Sequence, residues 1–186
     1  MPSFPELEEP LSDGAVTVRL AAERDIPEVL IAYQDDPELH LRMGEEGPPS
    51  GAELGRLAER AAGDRAAGLG MTLTVLRAGS DSCMGQINVH HVDWENARAD
   101  LGIWLAPQAR GRGLARVALR LIATWLLRDA GLERVQLLTE THNDHLLRAA
   151  VAAGFEREGV LRGFLRERGA RVDVVVLSIV RRDLAA

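Results

Sequence analysis

Residues 98–116 read RADLGIWLAPQARGRGLAR and carry the clearest local pattern in the chain. The first part is mostly apolar and predicts a strand over Ala99–Leu105. A glycine-rich turn follows at Gln108–Gly113, and after it the helix Leu114–Leu126 carries apolar residues at the three-and-four spacing of a buried face. The stretch therefore predicts a strand, a tight turn and a helix in immediate succession.

A glycine-rich turn in this position is suited to binding an anion. The first N–H groups of a helix lack backbone partners, and the helix dipole places partial positive charge there. Gly111 and Gly113 let the backbone approach a phosphate closely, while Arg110 and Arg112 add positive charge. The turn predicts a phosphate site, although a tight strand-to-helix connection would need the same glycines.

Two common phosphate motifs do not fit this turn. A P-loop ends in Gly-Lys-Ser/Thr, and all 22 cationic residues of the chain are arginine. A dinucleotide fingerprint needs a third glycine where Arg116 stands, and it opens a first βαβ unit rather than following an antiparallel hairpin. A third pattern, Gln/Arg-x-x-Gly-x-Gly/Ala, does fit residues 108–113, which in this respect resemble the pyrophosphate loop of coenzyme A-dependent N-acetyltransferases.

The rest of the pattern predicts one mixed α/β domain over residues 1–186, with residues 1–13 as a loose lead-in. The last strand, Val172–Val180, is apolar at nearly every position, which predicts an interior strand. The other predicted strands are Val16–Leu20, Met71–Arg77, Met84–Val92, Arg134–Thr139 and one that begins near Phe155 and ends at a turn over Glu167–Ala170. The other predicted helices begin near Asp25, at Ser50 and at Asn143.

Composition narrows the class of protein. The chain has 186 residues, 46% of them hydrophobic and 27% charged, with a net charge of -6, which argues against direct nucleic-acid binding. That charge is unevenly divided, since residues 1–97 sum to -11 and residues 98–186 to +5. This split predicts two faces with different partners, or merely two solvated surfaces of different sign.

The lone cysteine and the N-terminus bear on location. Cys83 has no partner for an intrachain disulfide, which predicts a reducing compartment. No apolar run reaches the roughly 18 residues of a membrane span, and the N-terminus is acidic and broken by prolines. We therefore expect a cytoplasmic protein that does not bind membranes.

The chain resembles the GNAT superfamily of N-acetyltransferases, and within it the RimJ and RimL branch of ribosomal-protein N-terminal acetyltransferases. The resemblance runs from about Val16 to Asp183. It rests on an ordered series of motifs: residues 96–105, the turn at 108–113, residues 131–135, Asn143, Gly154-Phe155, residues 158–162 and Val172-Asp173.

The resemblance implies a GNAT fold, with a central mixed and mostly antiparallel sheet, flanking helices and a splayed parallel strand pair that holds acyl-CoA. It implies that acetyl-CoA is the acyl donor and that no metal is needed. The residues that it assigns to the cofactor are Ile103, Trp104 and Leu105 for the pantetheine arm, Gln108, Arg110, Gly111, Arg112, Gly113, Leu114 and Ala115 for the pyrophosphate, and Asn143 for the arm.

Several of these residues have simpler explanations. Asn143 fits a helix N-cap equally well. The cations Arg112, Arg116 and Arg120 are four residues apart and are expected on one helix face, either as a phosphate-facing group or as a solvated surface. Trp104 is explained most simply as a core residue.

Transfer of an acetyl group to an amine needs a neutral amine, and the candidate bases are Asp100 and Glu140. An α-amine with a pKa near 8 is about one-tenth neutral at pH 7, whereas a lysine amine near 10.4 is about four parts in ten thousand neutral. A protein N-terminus therefore demands less of the base. Asp100 also fits an ordinary surface position of its strand.

The resemblance places the acceptor beside an acidic segment. Its acids are Asp35, Asp36, Glu38, Glu45 and Glu46. Acids there would attract a cationic acceptor, either a protein N-terminus or a small cationic molecule, although a solvated loop would explain them too.

The proton donors typical of the family are missing. Ala150 stands where many members have tyrosine, and Leu146 stands where RimL-like members have serine. Because a thiolate can leave without protonation, an enzyme remains possible. The alternative is a non-catalytic acyl-CoA-binding or sensing module of the same fold. A homodimer is possible in either case.

The histidines predict no metal site. His90 and His91 are adjacent in a strand and are expected to point to opposite faces, so they would not share an ion. One of them facing the cleft could assist as a base, ranked below Asp100.

Overall fold

The computed structural model describes residues 3–167 and 169–185, with the side chains of Glu167 and Ala185 left aside. The strands are β1 (Leu11–Ser12), β2 (Val16–Leu20), β3 (Met71–Arg77), β4 (Gly85–Asp93), β5 (Arg98–Leu105), β6 (Arg134–Glu140), β7 (Glu156–Glu167) and β8 (Ala170–Val180). The helices are α1 (Ile26–Asp35), α2 (Leu39–Arg42), α3 (Gly51–Ala66), α4 (Leu114–Arg128) and α5 (Asp144–Ala152). These bounds confirm the predicted elements to within a few residues. Arg168, in the predicted turn between β7 and β8, lies outside the described residues.

Within the described residues the strands form one sheet in the order β1-β2-β3-β4-β5-β6-β8-β7. Every neighbouring pair is antiparallel except β5 and β6, which run parallel. β8 lies between β6 and β7, and Val174, Val175 and Leu177 on it are buried. The predicted interior strand is therefore confirmed, and the apolar run reflects cover on both faces.

Helices cover both faces of the sheet. α4 buries one face: its fully buried Leu119, Ile122 and Leu126 pack in the same cluster as Leu73, Ile87 and Leu137 of the strands. Each such leucine or isoleucine contributes about 1.5–3 kcal/mol through removal of its surface from water. The other face carries a smaller cluster built on α1 and α2, formed by Val29, Ala32, Tyr33, Leu39, Cys83, Trp104 and Ala106. β5 thus contributes side chains to both clusters.

The start of α1 is held by a buried ion pair. Asp25 stands at the N-cap position, but its carboxylate does not cap the helix. It instead accepts hydrogen bonds from Arg19 at 2.9 and 2.7 Å and from the Thr74 hydroxyl at 2.6 Å. These bonds tie α1 to β2 and β3.

The N-terminal lead-in differs from its expected loose state. Phe4 is 6% exposed, and its ring lies 5.0 Å from that of Trp94 and 6.5 Å from that of Trp125. Leu11–Ser12 pairs with β2 as an edge strand. An aromatic side chain that covers the open edge of the core accounts for the difference. None of the helices in residues 3–167 and 169–185 is long and apolar enough to cross a membrane.

Candidate active site

The parallel strands β5 and β6 diverge partway along their length. They pair from Arg98 with Arg134 to Leu101 with Leu137 and then separate. Beyond that point β5 continues to pair with β4 as far as Leu105, and β6 continues to pair with β8 as far as Glu140. The two strands therefore leave a gap between Gly102–Leu105 and Leu138–Glu140, where an extended ligand arm can meet a free strand edge.

The glycine turn lies at the end of this gap. Gly111 has φ of 71° and Gly113 has φ of 76°, and Gly113 is the N-cap of α4. A Cβ at either position would meet no atom within 4 Å, so the backbone angle rather than crowding calls for glycine. Within the described part of the chain, the amides of residues 111–116 have no protein acceptor. The turn thus presents a row of free donors at the positive end of a 15-residue helix.

Arg110 differs from its expected role in two respects. Its amide donates to the carbonyl of Pro107 at 3.3 Å, so the row of free amides begins at Gly111. Its guanidinium donates to the carbonyl of Leu105 at 2.9 Å and to the carboxylate of Asp36. Asp36 also accepts a hydrogen bond from Arg42. Burial opposes ionisation of Asp36, but the bonds from Arg110 and Arg42 outweigh it and lower its pKa.

Two other turn residues are solvent-facing. Gln108 is exposed in a short 3-10 turn over Pro107–Ala109. Arg112 is exposed and precedes the first residue of α4, so it does not share a helix face with Arg116 and Arg120 as expected. The positive φ of Gly113 breaks the helical spacing between them.

Asp100 lies on the α1 side of the sheet, opposite His90 of β4. Its carboxylate is 3.1 Å from Nδ1 of His91, and that nitrogen is 3.2 Å from Nδ1 of His90. Burial, followed by the neighbouring His91, lowers the pKa of His90. The cluster leaves Asp100 only partly exposed, with 16% of its side chain accessible.

The expectation that His90 and His91 face opposite sides is wrong. The register of β4 against β5 shifts between His90 and Asp93, and His91 has φ of 48°. This bulge interrupts the alternation of the strand and turns both rings toward Asp100.

Glu140 lies farther along the same side of the sheet. Asp100 pairs with Gln136, so Glu140 is four residues, or about 13 Å, beyond it along β6. Glu140 borders a cavity of about 410 Å³ whose walls include Glu38, Arg42, Asn143, Asp144 and Arg148. The two candidate bases are therefore well separated along the strands, and Glu140 is the one that borders this cavity.

Asn143 acts as a helix cap in this structure. Its side-chain oxygen accepts from the amide of Leu146 at 3.3 Å, and its Nδ2 donates to Thr139 at 3.0 Å. The N-cap alternative is confirmed by these contacts. Ala150 is fully buried in the core and Leu146 packs against it, which leaves no ionisable side chain at either position.

Sequence reasoning missed Tyr33, which packs against Trp104 in the smaller cluster. Tyr33 is the sole tyrosine of the chain, and its ring lies 6.2 Å from that of Trp104. Its hydroxyl donates to Glu45 at 2.9 Å. Burial raises the pKa of both side chains. The signal in the sequence was an aromatic residue on the buried stripe of α1, three and four residues after Leu30 and Val29.

Comparison with known proteins identifies the family that shares this arrangement of strands and turn. Residues 15–156 match the family model described as "Acetyltransferase (GNAT) domain". The chain belongs to the GNAT acetyltransferase family. The match spans the diverging strands, the glycine turn and α5.

Curated relatives of this GNAT protein match part of their length. It is 29% identical over 102 residues, 55% of this chain and 56% of the relative, to "Putative ribosomal N-acetyltransferase YdaF" of Bacillus subtilis (strain 168). The first three such relatives are each covered over 56% to 63% of their length.

Solved structures show the same fold over nearly the whole chain. Spermidine N-acetyltransferase from Vibrio cholerae, in complex with CoA and spermine, has a TM-score of 0.81 at 19% identity, with 94% of this GNAT protein and 100% of that chain covered. Mycobacterium smegmatis RimJ in complex with CoA-disulfide has a TM-score of 0.80 at 21% identity, with 96% and 88% covered. The predicted mixed, mostly antiparallel GNAT fold is confirmed.

Proposed function

We propose that this GNAT protein transfers an acetyl group from acetyl-CoA to a primary amine by direct attack in a ternary complex. The observation that carries the proposal is the gap between β5 and β6, which ends at a turn with free amides. A pantetheine arm has amide groups that can bond the free edge of Gly102–Leu105, including Ile103, Trp104 and Leu105. The amides of Gly111, Arg112, Gly113, Leu114 and Ala115 can then meet the pyrophosphate.

Electrostatics complements this placement. The pyrophosphate is anionic, and the helix dipole of α4 together with Arg112 provides positive charge at the turn. Gln108 is exposed beside the turn, and Asn143 keeps a second N–H on Nδ2 beyond its bonds to Leu146 and Thr139, so each can still donate a hydrogen bond to the cofactor. We propose that both residues bind the cofactor.

The amine must lose a proton before it attacks the thioester carbon. We assign Asp100 as the base, because it lies on the paired segment of β5 next to the point where the strands diverge. Its carboxylate accepts the proton as the nitrogen forms its bond to the acetyl carbon. A backbone N–H group of Ile103–Leu105 that faces the gap stabilises the negative charge on the carbonyl oxygen, and the C–S bond then breaks to release the thiolate. Glu140 is the second candidate base.

The acceptor is expected to carry a positive charge. Glu38 lines the cavity that Glu140 borders, and the exposed Asp35 and Glu46 lie in the same acidic segment of the chain. A protein N-terminus or a small cationic amine fits this surface. The names of the relatives include both a ribosomal and a polyamine acetyltransferase, and they support testing both classes.

A second function is an acyl-CoA-binding or sensing module without turnover. The observation in its favour is the absence of a proton donor at Ala150 and Leu146. This alternative predicts binding of acetyl-CoA with no transfer to any amine.

One experiment separates the two functions. The protein is mixed with acetyl-CoA and a panel of N-terminal peptides, polyamines and aminoglycosides, and free thiol release is recorded beside the thermal shift caused by acetyl-CoA. Transfer predicts both a shift and thiol release with at least one amine. A shift without release from any amine favours the binding module, and no shift contradicts both.

Two further proposals concern the oligomeric state and the cellular location of the protein. β7 is an edge strand with Val160, Phe164 and Leu165 exposed, which favours a homodimer that covers it. Burial raises the pKa of the Cys83 thiol to about 12, and a free reduced cysteine favours the cytoplasm. Sedimentation of the purified protein tests the first proposal, and fractionation of cells tests the second.

A further inference from the structure

The cluster His90, His91 and Asp100 brings three metal-binding side chains to one point on the sheet. One ligand atom from each lies within 4.8 Å of the other two. Nδ1 of His91 is 3.2 Å from Nδ1 of His90 and 3.1 Å from Oδ2 of Asp100. This arrangement depends on the bulge at His91, which turns two adjacent side chains to the same side.

The separations of 3.1 and 3.2 Å are close to those between ligand atoms around a metal ion. Ligand atoms 2.0–2.2 Å from a tetrahedral zinc ion are about 3.3–3.6 Å from one another. Two imidazole nitrogens and one carboxylate oxygen are ligands that zinc and similar divalent ions accept.

Hydrogen bonding alone satisfies the cluster poorly. A neutral imidazole carries one N–H and one lone pair, so the Nδ1 of His91 cannot serve both neighbours with a single proton in two good bonds. A cation at the centre would satisfy both nitrogens and the carboxylate at once. His91 is more accessible to an ion from solvent than Asp100, because its side chain is 77% exposed.

We propose that His90, His91 and Asp100 form a binding site for a divalent transition-metal ion of the zinc class, with three protein ligands and an open coordination position. An ion reaches the site from solvent beside His91. The bound ion is coordinated by the carboxylate oxygen of Asp100.

A consequence for catalysis rests on the proposed function. If Asp100 is the base, a bound ion competes with the proton for its carboxylate and inhibits acetyl transfer. The inhibition is reversible by chelation, because the exposed His91 leaves the site open to solvent on one side.

Cobalt(II) is a suitable probe, because a four-coordinate cobalt site absorbs visible light far more strongly than aqueous cobalt. Metal-free full-length protein is titrated with CoCl2, and ZnCl2 is then added to displace the cobalt. We expect one ion per chain, with the intense visible bands of a four-coordinate site, and loss of those bands with zinc.

Variants test the ligands. His91→Ala and Asp100→Asn are each expected to weaken the affinity for cobalt by at least about tenfold. His145→Ala removes a histidine outside the cluster and is expected to leave that affinity unchanged. Circular dichroism on each variant confirms that it is folded, and His91 is the safest ligand to remove because it is exposed.

Absence of the visible bands, or equal cobalt affinity in the wild type and His91→Ala, overturns the metal site. The acetyl-transfer assay is read separately. Metal binding without inhibition of transfer leaves the site in place and contradicts Asp100 as the base.

Discussion

Arg110 in the glycine turn donates a hydrogen bond to Asp36 at the end of α1, 74 residues earlier in the chain. Asp36 also binds Arg42 of α2, so one carboxylate joins the proposed pyrophosphate loop to the acceptor side of the cleft. It also offsets part of the positive charge that the turn would otherwise present to an anion.

Removing this charge is expected to strengthen acetyl-CoA binding. Asp36→Asn leaves Arg110 without its ionic partner, and an exposed or partly exposed ion pair of this kind is worth about 0.2–1 kcal/mol, or up to about fivefold in Kd. Calorimetric titration with acetyl-CoA measures the change. Asp35→Asn, an exposed neighbour with the same loss of charge, serves as the control and should change Kd less. Weaker binding by Asp36→Asn would contradict this role.

Gly113→Ala is expected to destabilise the fold and weaken acetyl-CoA binding together. A side chain at φ of 76° costs about 1–2 kcal/mol, and relief of that strain would rotate the free amides of the turn. Urea unfolding measures the free energy of unfolding, and the acetyl-CoA thermal shift measures binding. Gly55→Ala in the middle of α3 has the opposite expectation, a gain of about 0.5–1 kcal/mol with normal binding. Equal effects from both variants would count against this account of the turn.

Asp100→Asn is expected to lower kcat while leaving the Kd of acetyl-CoA unchanged. General base catalysis contributes about 10²–10⁴-fold, with an α-amine acceptor near the lower end. Without a base, the remaining rate should rise with pH in proportion to the fraction of neutral amine. Glu140→Gln is the matched comparison, and a larger fall in that variant would transfer the role of base to Glu140.

Acid is expected to weaken the fold through Glu158. Its carboxylate binds Arg134 at 2.7 and 2.6 Å and Ser178 at 2.6 Å, and these bonds, led by Arg134, lower its pKa to about 2. A lowered folded pKa contributes stability above the unfolded value near 4.3, and the contribution disappears as pH falls from there toward 2.

The variant that tests this pair is Glu158→Gln. Because the carboxylate is 44% exposed, solvent screening limits the expected loss at pH 7 to about 1 kcal/mol. Urea unfolding at pH 7 and at pH 3 should show a smaller difference between the two pH values in the variant than in the wild type. Glu156→Gln, exposed on the same strand, is the control. An unchanged pH dependence in Glu158→Gln would refute the prediction.

Phe4→Ala tests whether the N-terminal segment is part of the core. Loss of a buried phenylalanine costs about 3–5 kcal/mol in a well-packed interior. We expect a value near the lower end, because Phe4 lies at the edge of the core between Trp94 and Trp125. Thermal unfolding measures the loss, with Glu8→Ala as an exposed control. A change below about 1 kcal/mol would show that the segment is loose after all.

The strand, turn and helix at residues 98–128 were predictable because period, glycine placement and helix start agree locally. The bulge at His91 was not, since a positive φ in a residue other than glycine leaves no mark on the pattern. The bond between Arg110 and Asp36 was also hidden, because only the folded chain brings these residues together. The burial of Phe4 was not predictable either, because an isolated aromatic residue among prolines and acids shows no periodicity.

The divergence of β5 and β6 makes the sheet two panels of five and three strands, joined across only four residue pairs. A ligand arm lying in the gap would bond to both panels and act as an additional strand. Acetyl-CoA would then be a structural brace as well as an acyl donor. Its departure would leave the amide protons on the gap-facing edge of Gly102–Leu105 to exchange with solvent more readily than those that bond to β4.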